Sequence, residues 1–171
     1  QHRKPMITKE ELKHIVSLST ESGHLQEAEK FLLMNVFEFA DRLVSEIMIP
    51  KEKMMALDVM LPPDRVMELI TDRHFTRIPV YEDNIDNIVG ILHTKDYFNV
   101  VCYKDIIATL DLLRKPLFTP SQTRISELLK EFQKKHSHMA IVRDEDNKTL
   151  GLITLENILE QIVGEIRDEH K

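Results

Sequence analysis

Apolar side chains recur in this chain at two spacings, helical and strand-like, and the order in which the spacings appear is used twice. Leu12, Ile15, Val16 and Leu18 keep helical spacing behind Thr8-Lys9-Glu10-Glu11, where Thr8 and Glu11 stand at the separation of a capping box. Gly23 interrupts the rhythm. Ala28, Phe31, Leu32, Asn35, Phe39 and Leu43 then fall on one face, which predicts a second amphipathic helix from about Leu25 to Ser45 that needs a partner surface. Met48 to Pro50 closes this segment. A short strand follows near Met54 to Leu57, then the turn Pro62-Pro63-Asp64, whose Asp64 is placed to cap a helix carrying Val66, Leu69 and Ile70. Ile78 to Tyr81 and Ile88 to Leu92 read as a hairpin-like strand pair, and a helix begins near Thr94.

Beyond a connector with amphipathic spacing at Ile106, Ile107, Leu110 and Leu113, the same order returns. Leu117 to Pro120 reads as a strand, Ser126 to about Lys134 as a helix, 139–142 and 150–153 as strands, and Leu155 opens a last helix. Arg77 aligns with His138, Gly90 with Gly151 and Asp96 with Asn157, at a constant offset of 61 residues. The preceding helices align at an offset of 59, Val66 with Ile125, which predicts two extra residues near Lys134 to Ser137 in the second copy. Such self-similarity means one strand-helix-strand-strand-helix unit used twice, neither copy able to bury its apolar face alone. The expected fold class is α/β (α+β). The chain divides into an N-terminal helical linker (1–45), a first repeat (46–102), a connector (103–116) and a second repeat (117–171).

Composition narrows the function classes. A net charge of −6 argues against non-specific binding of nucleic acid or of an anionic membrane, both of which need clustered Lys and Arg. The lone Cys102 excludes an internal disulfide and a cysteine-based zinc site. Opening on Gln1 reads as a piece of a longer protein. His136 with His138, and the acidic tail Glu165, Asp168 and Glu169, read as ordinary surface before they read as metal ligands. Neither a Ser-His-Asp spacing, a Walker loop, an HExxH pair nor paired catalytic carboxylates emerge, so no enzyme is expected.

The chemistry that does stand out lies at the end of each repeat's second strand, which reads Gly-x-x-(His/Thr)-x-x-(Asp/Asn) and puts polar side chains where a helix begins. A helix N-terminus offers unpaired N–H groups to an anion. Thr154 is placed as an N-cap, and Asn157, three residues on, offers one donor and one acceptor to vicinal ribose hydroxyls.

Thr76-Arg77-Ile78-Pro79-Val80 with Gly90 to Asp96, repeated at Ser137 to Val142 with Gly151 to Asn157, resembles tandem CBS (cystathionine β-synthase) domains. The flanking Val44-Ser45-Glu46-Ile47-Met48-Ile49-Pro50-Lys51 and the run from Gly151 to Ile166 resemble the cytosolic module of the hemolysin-C/CorC-like and cyclin M membrane proteins, over about residues 20 to 169. The resemblance implies a pseudo-twofold disc of two repeats that dimerises and binds an adenosine nucleotide (ATP, ADP or AMP, with or without Mg²⁺) in clefts between them. It also implies a membrane domain of the same parent chain, linked to magnesium or cobalt export, with this module on the cytoplasmic side. Carried over residue by residue, one composite cleft takes adenine on apolar walls and backbone hydrogen bonds from Phe75, Ile78 and Pro79, phosphate on Thr154 and Arg77, and ribose on Asn157. A second, weaker cleft takes Asp96, Ser137 and Met139.

The chain departs from the family pattern in both copies. Asn157 stands where the family has aspartate, and His93 stands where the second copy has Thr154, so each cleft lacks one half of the pattern. Two functions follow. One is a non-catalytic regulatory nucleotide sensor working through the first cleft; the other is a purely structural dimerisation module whose degenerate clefts bind nothing.

Overall fold

The computed structural model describes residues 7–103 and 109–164. Helix α1 (Lys9–Glu21) starts on the predicted capping box, with Thr8 Oγ1 accepting from the Glu11 N–H at 3.2 Å and the Glu11 carboxylate accepting from the Thr8 N–H at 2.7 Å. Helix α2 (Glu27–Phe39) ends earlier than expected. The predicted single helix to Ser45 is broken because the N–H groups of Val44 and Ser45 donate to Thr123 and Ser121, both at 2.9 Å, and a short α3 (Val44–Ile47) follows. Strand β1 (Ile49–Pro50) leads through a single 3-10 turn at Lys51–Lys53 to β2 (Leu57–Asp58), which begins later than the expected Met54. Helix α4 (Pro63–Arg73) has Pro62 at its cap and Pro63 in its first position, so Asp64 lies inside the first turn and is not the cap.

Strands β3 (Arg77–Glu82) and β4 (Asn84–His93) form the first hairpin and α5 (Thr94–Tyr103) follows. The connector's Ile106 and Ile107 lie outside the described residues, as do Glu165, Asp168 and Glu169. A 3-10 turn at Thr109–Leu112, β5 (Leu113–Arg114), β6 (Leu117–Pro120), α6 (Ile125–Lys135), β7 (Met139–Arg143), β8 (Thr149–Thr154) and α7 (Leu155–Val163) complete the order.

The strands make two four-stranded sheets, β2-β3-β4-β5 and β1-β8-β7-β6. Each repeat's sheet takes its edge strand from outside itself. β1, which precedes the first repeat's hairpin, pairs antiparallel with β8 of the second, and β5 from the connector pairs with β4 of the first. Both glycines of the repeat sit under these crossings. A Cβ on Gly151 would come within 2.1 Å of the Ile49 carbonyl oxygen, and one on Gly90 within 2.5 Å of the Leu113 Cβ, so close approach and not turn geometry requires them.

The pairing also corrects the repeat alignment. Val80 pairs with Gly90 and Val142 with Gly151, so the first strands of the two hairpins align at an offset of 62 while the second strands keep 61. Helices α4 and α6 also align at 62, Pro63 with Ile125 and Arg73 with Lys135. The second copy therefore has no two-residue insertion near Lys134. The difference is one extra residue in the first hairpin, where the register shifts on both sides of Tyr81.

Strand alternation divides the side chains among three cores. Ile78, Val80 and Leu92 pack under α4 and α5 with Val66, Ile70 and Tyr97. Ala140, Val142 and Ile153 pack under α6 and α7 with Leu128, Phe132 and Ile158. The opposite faces meet between the repeats, where Ile88 and Ile91 pack against Met139, Ile141 and Leu152. Each sheet thus buries one face under its own helices and the other against its counterpart, the arrangement a pseudo-twofold pair of α+β repeats requires. Among the described residues, no helix is long and apolar enough to cross a membrane.

Candidate functional site

Two recesses open at the seam between the repeats, and Arg77 and Met139 line both. The first is a cavity of about 80 Å³. One wall comes from Ile49 on β1 and Leu152 and Thr154 on β8; the other comes from Phe75 just before β3 and from Arg77 and Pro79 on it. Lys53, Met54 and Met55, which follow β1, complete the lining. Four of the six residues expected at this site are therefore brought together.

Ile78 is not among them. It is 1% exposed and packs beneath α4, because side chains alternate along β3 and Arg77, Pro79 and Tyr81 take the seam side. The expectation that Ile78 walls an adenine is corrected on this ground. Asn157 is close but engaged locally. Its Oδ1 accepts from the Thr154 N–H at 3.0 Å and from the Thr154 hydroxyl at 2.9 Å, while its own N–H donates to Thr154 Oγ1 at 3.2 Å. The pair is thus a reciprocal capping box at the start of α7. A phosphate at this helix end takes the hydroxyl proton only by turning it away from Asn157.

The second recess is larger, about 370 Å³, and different in character. Arg77, Arg114, Lys115 and Lys135 line it together with His93, His136 and His138. Ser137 lines it as expected, but its hydroxyl donates to the Met139 carbonyl at 3.0 Å. Asp96 does not line it. Its carboxylate pairs at 2.8 Å with Arg114, so the acceptor expected to hold a ribose is already neutralised from the side. His136 is the left-handed C-cap of α6 (φ 50°) and not a strand residue, so it does not share a strand face with His138. Burial, then the charges of Arg114 and Arg77, hold the His93 imidazole below its ordinary pKa.

Several lining residues were beyond sequence reasoning. Ile49 reaches the first cavity only because β1 crosses to the other repeat, and Arg114 and Lys115 reach the second only because β5 crosses back. Their one sequence signal was position: each short strand comes shortly before a strand–helix pair, β1 before β2 and α4, β5 before β6 and α6.

The CBS domain model matches residues 44–103 and 104–164, each match containing one hairpin and its helices. The chain is a tandem CBS-domain module. Among curated relatives it is 36% identical over 165 residues to UPF0053 protein YugS of Bacillus subtilis (strain 168), covering 96% of this chain and 38% of that protein. It is 38% identical over 146 residues to Hemolysin C of Brachyspira hyodysenteriae, covering 85% of this chain and 54% of that one. The module therefore spans about half the length of these relatives or less. Among solved structures, the CBS domain of the bacterial CNNM/CorC family Mg²⁺ transporter superposes with a TM-score of 0.87 at 35% identity, over 95% of this chain and 100% of that one. A structure of that domain in complex with ATP superposes with a TM-score of 0.75 at 34% identity, over 81% and 99% of the two chains. This CBS pair is thus of the hemolysin-C/CorC and CNNM kind.

Proposed function

We propose that this CBS pair is a non-catalytic regulatory module that binds an adenosine nucleotide in the first cleft, on the cytoplasmic side of a membrane protein concerned with divalent-cation transport. The observation that carries the reading is the composition of the first cavity, where apolar side chains from both repeats meet a helix N-terminus and one guanidinium at the seam. Apolar walls suit a purine, and Thr154 with Arg77 suits phosphate. The ATP complex of the similar CNNM/CorC domain supports the same ligand class. At about 80 Å³ the cavity is below the ~300–1,000 Å³ of preformed ligand sites, so entry of a nucleoside displaces the flexible Lys53, Met54 and Met55 at its edge.

In this account the nucleotide acts by linkage. It favours the arrangement of the two repeats that it binds better, and shifts the parent protein by no more than that difference in affinity. A thermal-shift series of ATP, ADP and AMP, with and without Mg²⁺, against GTP and CTP is the test. At a hundredfold excess over Kd a native-state ligand adds about 2.7 kcal/mol of stability, so adenine nucleotides raise the midpoint and the others do not. Equal shifts from GTP and CTP mean that only phosphate is read. One observation favours the second reading, a structural dimerisation module: the capping box already engages both Thr154 and Asn157. No shift from any nucleotide at millimolar concentration decides for it.

A further inference from the structure

We propose that the second cleft binds a compact polyanion, a short polyphosphate chain or ring, by its charge and without reading a nucleobase. Four cationic side chains line this recess and no carboxylate does. They converge from distant parts of both repeats: Arg77 from β3, Arg114 and Lys115 from β5 and its exit, Lys135 from the last turn of α6. In a chain of net charge −6, such a gathering runs against the surrounding field. Like charges in one recess repel, and the repulsion is relieved by an anion that several of them share.

Two of the four are held in place from outside the recess. Arg114 is tethered by Asp96 at 2.8 Å and Lys135 by Glu131 at 2.5 Å, and neither carboxylate lines the cavity. Arg77 and Lys115 have no ion-pair partner among the described residues. The recess, about 370 Å³, is within the range of preformed ligand sites. Its apolar lining is only Ile91 and Met139, and no Phe, Tyr or Trp lines it, in contrast to Phe75 in the first cleft; the rings it holds are the polar imidazoles of His93, His136 and His138. The missing hydroxyl at His93 and the neutralised Asp96 remove the features that would select a nucleoside.

This inference shares Arg77 with the nucleotide reading but not Thr154, on which that reading depends. Calorimetric titration with trimetaphosphate, whose charge is fixed near neutral pH, tests it on the full chain. The expected result is one site per chain, weakened roughly tenfold or more by Arg114→Ala and by Lys135→Ala, weakened further by salt, unchanged by Thr154→Ala, and weakened but not abolished by saturating AMP, which engages the shared Arg77. Lys135 is exposed on α6, so its variant leaves the fold intact and carries the test if Arg114→Ala does not fold. Complete displacement by ATP but not by AMP keeps the site and makes the nucleotide's own phosphate tail its occupant. Absence of binding at millimolar concentration, affinity indifferent to both cation variants, complete displacement by AMP, or loss in Thr154→Ala would each overturn the proposal.

Discussion

Thr154 and Asn157 do two jobs with the same atoms, and the balance between them is measurable. Asn157→Asp replaces the neutral acceptor of the capping box by a charge at the N-terminus of α7, which adds about 0.3–1 kcal/mol of stability by chemical denaturation. His93 makes a pH-dependent contribution. The imidazole is surrounded by Arg114 on β5, Arg77 on β3, Asp96 on α5 and His138, and its folded-state pKa is lowered mainly by burial. The unfolded chain therefore takes up the proton first. The stability tied to His93 is complete above about pH 6.5 and is lost as pH falls from there toward the folded-state value. An NMR titration of the His93 ring should give a midpoint below 6.5, its unperturbed value, moving upward when trimetaphosphate is bound; a midpoint above it contradicts the described surroundings. Asp86 behaves in the same sense at lower pH. Lys51 at 2.8 Å and the Thr149 N–H at 2.9 Å hold its pKa down, so its contribution is present above about pH 4 and is lost on further acidification.

At the scale of elements, the exchanged edge strands position everything at the seam. Gly151→Ala drives a methyl group into the backbone of β1, which cannot move aside as a side chain can, so a loss of about 1–3 kcal/mol in urea unfolding is expected. Gly90→Ala meets the Leu113 Cβ at 2.5 Å, which is fixed to the backbone of β5, and should cost a similar amount. A larger loss at Gly90 would mean that β5 and not β1 is the rigid edge. The sequence made much of this scale legible. Period-two runs placed β6 and both hairpins, and the Thr8 capping box placed α1, because local pattern and final fold agree there. Strand exchange was not legible, since two-residue strands such as Ile49–Pro50 have no periodicity of their own. The repeat offset was misread for a related reason. Apolar positions match at 61 or 62 equally well in short strands buried on both faces, and only hydrogen-bonded register separates the two. The Ile78 side chain lies on the helix side of β3 and not at the seam through the same one-residue ambiguity of facing.

For the whole molecule, the N-terminal helices leave an apolar surface without an occupant. Leu12, Ile15 and Leu18 on α1, Phe31 and Val36 on α2, and Leu159 and Val163 on α7 are exposed, although α2 packs on both α1 and α7. Such a face marks an interface, and we propose a homodimer, so light scattering at micromolar concentration should give twice 20.1 kDa. A monomer mass would contradict this. Regulation needs a ligand before it needs a partner, and calorimetry of ATP with the wild-type chain, Thr154→Ala and His93→Ala tests the central claim most directly. Removing a hydrogen bond to a charged phosphate costs about 1.5–3 kcal/mol, so Thr154→Ala should weaken ATP binding about ten- to a hundredfold while His93→Ala leaves it nearly unchanged. Binding abolished by His93→Ala and retained in Thr154→Ala would contradict the account and move the nucleotide to the second cleft.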